Sequence, residues 1–317
     1  MAARGIDHYR DARVLVTGAS GFIGSNLAAR LEQLGAIVEP VSRVTSTEVK
    51  AGARIFHVAD LTNFEQCRAL IRAAKPDIVF HLASHVTGRQ DLGTVIAALN
   101  GNLVAAVNLM TALAEHAKPT SVVIAGSSEE PRAFSFADAE SAPYSPYAAA
   151  KLGASAYGAF FRRTMGLPVS HARIFMGYGP GQLDLVKLVP YVTVSLLRGQ
   201  APRLASGTRL ADFTFIDDIV NGLLTLGGRP DIASLEIGTG QLTSVADVAR
   251  TLGSIIDPSA KIVFGDVADR RNEPSRMADV VETARLAGWK PDVGLDTGLR
   301  RTVDWFRARL SDLPEIV

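Results

Sequence analysis

Cysteine is almost absent: Cys67 is the single one among 317 residues. One thiol builds neither an intramolecular disulfide nor a multi-thiolate metal site, so a reducing, cytoplasmic setting is expected. Net charge is nearly absent too. The 33 Lys and Arg residues stand against 32 Asp and Glu, a formal charge of +1, so no field gathers nucleic acid or an anionic membrane. Neither is expected as a partner. The amino-terminal run to Arg13 lacks an apolar core and reads as a short polar arm rather than a signal peptide. The most apolar stretch, Val95 to Ala114, is interrupted by Asn100, Asn102 and Asn108. Those amides are costly in lipid, which predicts a buried helix and not a membrane span. Internal repeats, low-complexity tracts and long linkers are also missing. What remains, 47% hydrophobic and 21% charged residues, is the composition of a folded globule of two lobes or one large α/β domain.

The first half alternates short β-branched runs with amphipathic segments of helical length. Arg13 to Thr17 reads as a strand, Phe22 to Leu34 as a helix that Gly35 ends, and Ile37 to Val41 as a second strand. Arg54 to Val58 reads as a third strand, with a helix starting near Asn63. Ile78 to Leu82, a long helix and Ser121 to Ala125 continue the alternation. Such units build a parallel sheet with right-handed crossovers, helices on both faces and ligands beyond the carboxyl ends of the strands. After about Arg173 the pattern loosens. A turn-rich loop spans Tyr178 to Gln182, a helix runs through Val189 to Arg198, Phe213 to Ile216 is a short strand, and Trp305 lies near a final helix. The expected division is 1–172, with a segment near 213–240 returning to it, and a smaller mixed α/β lobe over 173–317.

The first strand runs directly into Thr17-Gly18-Ala19-Ser20-Gly21-Phe22-Ile23-Gly24. Gly18 permits a tight turn, Gly21 lets the backbone approach a pyrophosphate, and Gly24 lets the helix pack close to the sheet. The helix start adds unpaired N–H groups and a positive dipole end. Tyr147 and Lys151, four apart, share one helix face, so phenol and ammonium enter the same space. A lysine cation there is expected to lower the phenol pKa and make Tyr147 a proton donor or acceptor. Ser127 and Ser128, at the end of the fifth strand, supply a hydroxyl to the same cleft.

Together these residues resemble the extended short-chain dehydrogenase/reductase family, in its branch of nucleotide-sugar epimerases, dehydratases and ketoreductases. The resemblance spans nearly the whole chain. TGASGFIG matches the glycine fingerprint, Asp60-Leu61 the acidic-apolar pair near the adenine, and His81-Leu82-Ala83-Ser84 the segment beside the cofactor. Asn102 stands where a further family motif begins. Ser127, Ser128 and Glu129 match the stretch that carries the catalytic hydroxyl, and SPYAAAK matches the catalytic S-P-Y-x-x-x-K. RIFMGYGPGQ, which includes Phe175 and Met176, and DFTFIDDI match later segments. The resemblance implies a Rossmann-type, doubly wound dinucleotide-binding domain, a substrate lobe and a homodimer. It places Ser20, Phe22, Ile23, Ser42, Arg43, Leu82, Ala83, Ser84, Asn102, Tyr147, Lys151 and Phe175 around the cofactor. Ser128, Met176, Arg209, Arg270 and Arg271 fall at the substrate, the arginines gripping its diphosphate.

Four departures limit the transfer. Met176 replaces an asparagine that bonds the sugar nucleotide in many relatives. Pro131-Arg132 replaces the usual V-Y-G, and Arg209 stands three residues before Asp212 instead of immediately before it. The second strand ends in Val41-Ser42-Arg43, where NAD-using relatives carry an aspartate. A cation there suits a 2′-phosphate, so NADP is favoured over NAD. His57, His81 and His85 lack metal-ligand spacing, and His81 is expected to be a core histidine bonded to backbone. Asp217 and Asp218 are expected to cap and tether, not to catalyse. Glu129, beside Glu130, either stands in for a dehydratase acid or marks a helix start.

The expected function is hydride chemistry on a nucleotide-linked hexose, with Ser127 or Ser128 assisting Tyr147 and Lys151. NADP preference tilts the expectation toward reduction of a 4-keto-6-deoxyhexose. A 4-epimerase, a 4,6-dehydratase and a non-catalytic NADP-sensing regulator stay open.

Overall fold

The computed structural model describes residues 6–43, 56–116, 120–138, 141–269 and 273–315. In chain order, β1 (Arg13–Thr17), α1 (Phe22–Gln33), β2 (Ile37–Ser42), β3 (His57–Val58), α2 (Phe64–Ala74) and β4 (Ile78–His81) open the fold. Then come α3 (Val95–Ala98), a π-helical turn over Leu99–Val104, α4 (Ala105–Ala114), β5 (Ser121–Ser127), α5 (Pro146–Thr164) and β6 (Val169–Ile174). The later part comprises β7 (Met176–Tyr178), α6 (Leu188–Leu197), β8 (Arg203–Leu204), β9 (Leu210–Ala211), β10 (Phe213–Phe215) and α7 (Ile216–Gly227). It ends with β11 (Ser234–Ile237), β12 (Thr243–Ser244), α8 (Val245–Ile256), β13 (Val263–Phe264), α9 (Val280–Ala287) and α10 (Leu295–Arg307).

The chain forms two compact units. One takes Met1–Ile174, Val220–Glu236 and Glu282–Trp289; the other takes Phe175–Ile219, Ile237–Val281 and Lys290–Val317. The sequence placed a return near 213–240. In the structure that passage is 220–236, and a further passage at 282–289 joins the first unit although no change of pattern marks it.

Seven strands form one sheet in the order β11-β6-β5-β4-β1-β2-β3, and the pairs from β3 through β6 are parallel. The order reverses between β1 and β4, which opens a crevice at their carboxyl ends. Local chemistry explains the punctuation. Gly35 takes φ +80° just beyond α1, a conformation open to glycine. The Asn63 side chain caps α2 by accepting the Gln66 N–H, and Ser145 caps α5 by accepting the Ala148 N–H, with Pro146 in the first turn. Strand β3 is described as His57–Val58, and the start expected at Arg54 lies outside the described residues. Ile216 closes no strand; it opens α7.

Leu15, Val79, Val122 and Ile124 from the sheet pack with Ile71, Leu109, Met110, Leu113 and Phe161 from α2, α4 and α5 in one core cluster. The stretch Leu92–Ala114 is long and apolar enough to cross a membrane by length and composition. Here it packs along one side only. Asn108 donates its amide to the carbonyls of Leu61 and Thr62, and Asn102 is buried, while Val95, Ile96 and Leu99 are exposed. The single buried helix read from the sequence is therefore interrupted and half-exposed. The π turn adds a residue to the coil, a change of period that no hydrophobic pattern encodes.

In the second unit, one buried carboxylate ties three segments together. Asp212 Oδ1 accepts the N–H and hydroxyl of Thr239 at 2.7 and 2.6 Å, and Oδ2 accepts the N–H groups of Gly240 and Ala278 at 2.8 and 3.0 Å. A Cβ on Gly238 would come within 2.7 Å of that carboxylate, so glycine is required beside it. Asp212→Ala strands three N–H groups, and a loss of about 3–5 kcal/mol is expected in urea unfolding. A change below about 1 kcal/mol would show that water replaces the carboxylate.

Candidate active site

The ends of β1 and β4 meet through side chains. Thr17 and His81 are register partners, and Thr17 Oγ1 lies 2.8 Å from His81 Nδ1 while accepting the Ala83 N–H at 3.1 Å. Burial pushes His81 down to about pKa 3, with the Lys151 cation adding to the effect, so the imidazole is neutral and shares a hydrogen bond with the Thr17 hydroxyl. The sequence reading had His81 on backbone; its partner is a hydroxyl. Groups of three or more metal-ligating side chains are absent among the described residues.

Gly18 takes φ +69°, and a Cβ there would come within 2.7 Å of the Ala83 backbone nitrogen. A Cβ on Gly24 would collide with the Gly18 carbonyl. Gly21 precedes α1 with no side-chain cap, and Ser20 is exposed. A turn kept this bare at a helix start fits a dinucleotide pyrophosphate, with Phe22, Ile23 and Gly24 in the first helical turn. At the end of β2, Ser42 is half-buried and Arg43 exposed. Asp60 is exposed as well. Its carboxyl is held below the ordinary range by the Thr62 N–H and hydroxyl, with Arg43 contributing. The Leu61 side chain is buried in the core cluster.

Helix α5 brings Tyr147 and Lys151 to one place. Lys151 Nζ donates to the Ala125 carbonyl at 2.8 Å and lies 5.8 Å from the Tyr147 ring centre. Burial depresses Lys151 to about pKa 8, and Glu130 pulls the other way. The hydroxyls of Ser127 and Ser84 interact with the Tyr147 phenol. Ser84 in turn donates to Asn102 Oδ1 at 2.6 Å, and the same oxygen accepts the His85 N–H at 2.9 Å. The Asn102 amide returns a bond to the His85 carbonyl at 3.1 Å. The π turn is what carries Asn102 into this position; such turns concentrate at functional sites.

The phenol itself departs from expectation. Burial pushes the Tyr147 pKa up and Glu129 and Glu130 add to it; the two serines offset only part. The expected lowering does not occur in the protein alone, because desolvation and two carboxylates raise the phenol further than the serine hydroxyls lower it. Tyr147 is held protonated.

Of the two serines, Ser127 is the buried one that meets the phenol, whereas the Ser128 N–H donates to the Ile174 carbonyl at 2.9 Å. Glu129 starts no helix. It sits in a turn, and its Oε2 accepts the Ser145 hydroxyl at 3.3 Å. The sequence reading took Glu130 only together with Glu129; it missed that Glu130 is fully buried and partnered by His171 and Arg173. The available signal was two basic residues alternating within the otherwise apolar strand VSHARI.

The remaining candidates belong to the second unit. Phe175 is buried, Met176 is half-buried with its N–H on the Asp212 carbonyl, and Arg209 Nε lies 2.7 Å from Glu273. Arg270 and Arg271 fall outside the described residues. Asp218 accepts the Asp292 and Val293 N–H groups, and Asp217 pairs with Arg301, so both tether chain segments within this unit.

A sequence profile described as the NAD dependent epimerase/dehydratase family matches residues 14–238. The chain belongs to that family. It is 30% identical to a probable dTDP-glucose 4,6-dehydratase of Sinorhizobium fredii, over 93% of this chain and 92% of the relative. It is 29% identical to the UDP-glucose 4-epimerase of Mycolicibacterium smegmatis, over 93% and 98%. Among solved structures, the Bordetella bronchiseptica enzyme WbmF in complex with NAD+ and UDP superposes with a TM-score of 0.80 at 26% identity, covering 96% of this chain and 95% of that one. The chain is thus a short-chain dehydrogenase/reductase-type enzyme with a Rossmann-like fold. The NADP preference expected from Arg43 finds no support: the family is NAD dependent, and the WbmF structure holds NAD+.

His81 gives a pH test of this arrangement. Its folded pKa lies below the unfolded value, so the unfolded chain binds the extra proton. Stability is full above about pH 6.5 and falls by about 1.4 kcal/mol per unit on acidification toward pH 3. Urea midpoints of the wild type should show that slope and His81→Gln should lose it; equal slopes would mean His81 is not the titrating group.

Proposed function

We propose that the protein is an NAD-dependent nucleotide-sugar 4-epimerase. The observation that carries this is the buried cluster of Tyr147, Lys151, Ser127 and Ser84 beyond the glycine turn. Bound dinucleotide supplies the hydride acceptor and donor, and its phosphates would lie on Gly18, Gly21 and Gly24. Tyr147 would act as the phenolate, its pKa lowered from that of the protein alone by the positive charge an oxidised dinucleotide would bring. In that form it would take the proton of a sugar hydroxyl and return it after the ketone has turned, with Ser127 hydrogen-bonding the same oxygen. Lys151 would hold the cofactor ribose. Arg209, Arg270 and Arg271 would hold the substrate diphosphate, with Arg209 oriented by Glu273.

The case for a net 4-ketoreductase rested on NADP, and it weakens with the loss of that preference. A 4,6-dehydratase needs an acid and a base beside the catalytic hydroxyl. Glu130 is committed to His171 and the Ser127 backbone, which leaves Glu129 alone. A homodimer is proposed as the assembly, for which exposed Leu92, Val95, Ile96 and Leu99 offer an apolar strip.

The purified protein, given UDP- and dTDP-linked hexoses, should interconvert C4 epimers with no net cofactor consumption. Stoichiometric NADPH loss on a 4-keto-6-deoxysugar would instead identify a ketoreductase. Tyr147→Phe should lower turnover by about 10²-fold or more while leaving NAD affinity intact, and Ser127→Ala should cost more than Ser128→Ala. Near-wild-type turnover in Tyr147→Phe would remove the phenol from the chemistry.

For the cofactor, calorimetry should give a lower Kd for NAD than for NADP, because Asp60 opposes a second phosphate beside Arg43. The reverse order would restore Arg43 as a 2′-phosphate ligand.

A further inference from the structure

We propose that Glu130 is a positioning residue: its buried carboxylate, braced by His171, holds the Ser127 backbone and so aims the Ser127 hydroxyl at Tyr147. This rests on the proposed role of Ser127 and Tyr147 in proton exchange, and it assigns a task to a pair of side chains that the chemistry itself does not use.

The geometry is closed at Oε1, while the buried Oε2 has no hydrogen-bond partner among the described residues and only the His171 ring beside it. Glu130 Oε1 accepts the Ser127 N–H at 2.6 Å, while the Glu130 N–H donates back to the Ser127 carbonyl at 3.1 Å. The Glu129 N–H donates to the Ser127 hydroxyl oxygen at 3.1 Å, which leaves the hydroxyl hydrogen to point elsewhere. His171 Nε2 straddles the carboxylate, 3.2 Å from Oε2 and 3.4 Å from Oε1. Arg173 donates to the Glu130 carbonyl at 2.6 Å and reaches the Ser127 carbonyl at 3.4 Å. The parallel register explains how two residues 41 positions apart meet. Ile124 lies opposite His171 and Gly126 opposite Arg173, so His171 and Arg173 share a face of the sheet with Gly126. A Cβ on Gly126 would collide with the His171 imidazole and come within 2.7 Å of Glu130 Oε1. Glycine at the penultimate position of β5 is the space in which the pair sits.

The charge is also accounted for. Burial raises the Glu130 carboxyl, but His171, Arg173 and the Ser127 N–H together hold it below its ordinary value. Arg173 lies 3.4 Å from Glu236, and Arg132 grips Glu236 with a two-pronged bond at 2.9 and 2.6 Å. A carboxylate this deep is costly unless so paired. Its retention next to Ser127 is intelligible if the serine must be held to a fraction of an ångström, since a 1 Å misplacement costs on the order of 10²-fold in rate.

Four variants and one spectrum test this. Glu130→Leu removes the acceptor and should lower kcat by about 10²-fold with KM for the sugar nucleotide within about twofold. Glu130→Gln keeps an acceptor oxygen and should recover most of that loss. In a Ser127→Ala background, adding Glu130→Leu should cost much less than it does in the wild type, the remainder coming from its charge on Tyr147 and Lys151. The same penalty in both backgrounds, or wild-type kcat in Glu130→Leu, would overturn the proposal. Hydrogen exchange at the Ser127 amide, followed by NMR in the wild-type chain, needs neither a foldable variant nor a substrate. Slow exchange at Ser127 is expected. Rapid exchange there while Ala125 stays protected would overturn the proposal, whereas a wild type inactive on every nucleotide sugar would count against the 4-epimerase assignment and not against the buttress.

Discussion

The first unit depends on one close approach of backbone to backbone. Gly24 in α1 lies against the Gly18 carbonyl, and Gly18 in turn lies against Ala83 at the exit of β4. Any side chain at 18 or 24 would separate helix, turn and neighbouring strand. Because these three segments touch, Thr17 and His81 face each other, Ala83 reaches the Thr17 hydroxyl, and the chain beyond β4 delivers Ser84 to Tyr147. Phosphate cradle and proton-transfer cluster are therefore set by the same contact, although they serve different parts of the chemistry.

The cluster is buried and electrostatically costly. A lysine, a tyrosine and two glutamates meet where burial works against the charged forms of Tyr147, Lys151 and Glu130. Lys151 survives as a cation through the Ala125 carbonyl and Glu130, while the phenol keeps its proton. Low dielectric strengthens every remaining interaction and leaves each pKa responsive to any charge that arrives with a ligand. Rigid hydrogen bonding around Asn102 and Glu130 keeps the groups in place meanwhile.

Much of this was legible in the sequence because it is local. Glycine spacing, Asn63 and Ser145 at helix starts, and the four-residue separation of Tyr147 and Lys151 all act within one turn or one helix. What escaped is set by burial or by strand pairing. Nothing near Tyr147 announces that desolvation will raise its phenol. Leu61 looks the same in a sequence whether it faces adenine or the core. Glu130 meets His171 only because β5 and β6 lie side by side in one register, and Arg43 suggested a phosphate partner without showing that Asp60 stands nearby.

The weaving of the chain between the two units has a consequence for biosynthesis. The first unit takes its third passage from residues 282–289, after the 175–219 and 237–281 passages of the second unit. On the ribosome, at about 5–20 residues per second, that unit waits until two passages of the second unit have been made before this piece emerges. Thr283 closes on the Glu236 carbonyl only then. A nascent chain halted after β6 would already hold the glycine turn, Tyr147 and Lys151, yet would present to its surroundings the edge of β6 that β11 later covers. Chaperone protection of that edge, more than any intrinsic speed of folding, would govern how much finished protein a cell obtains.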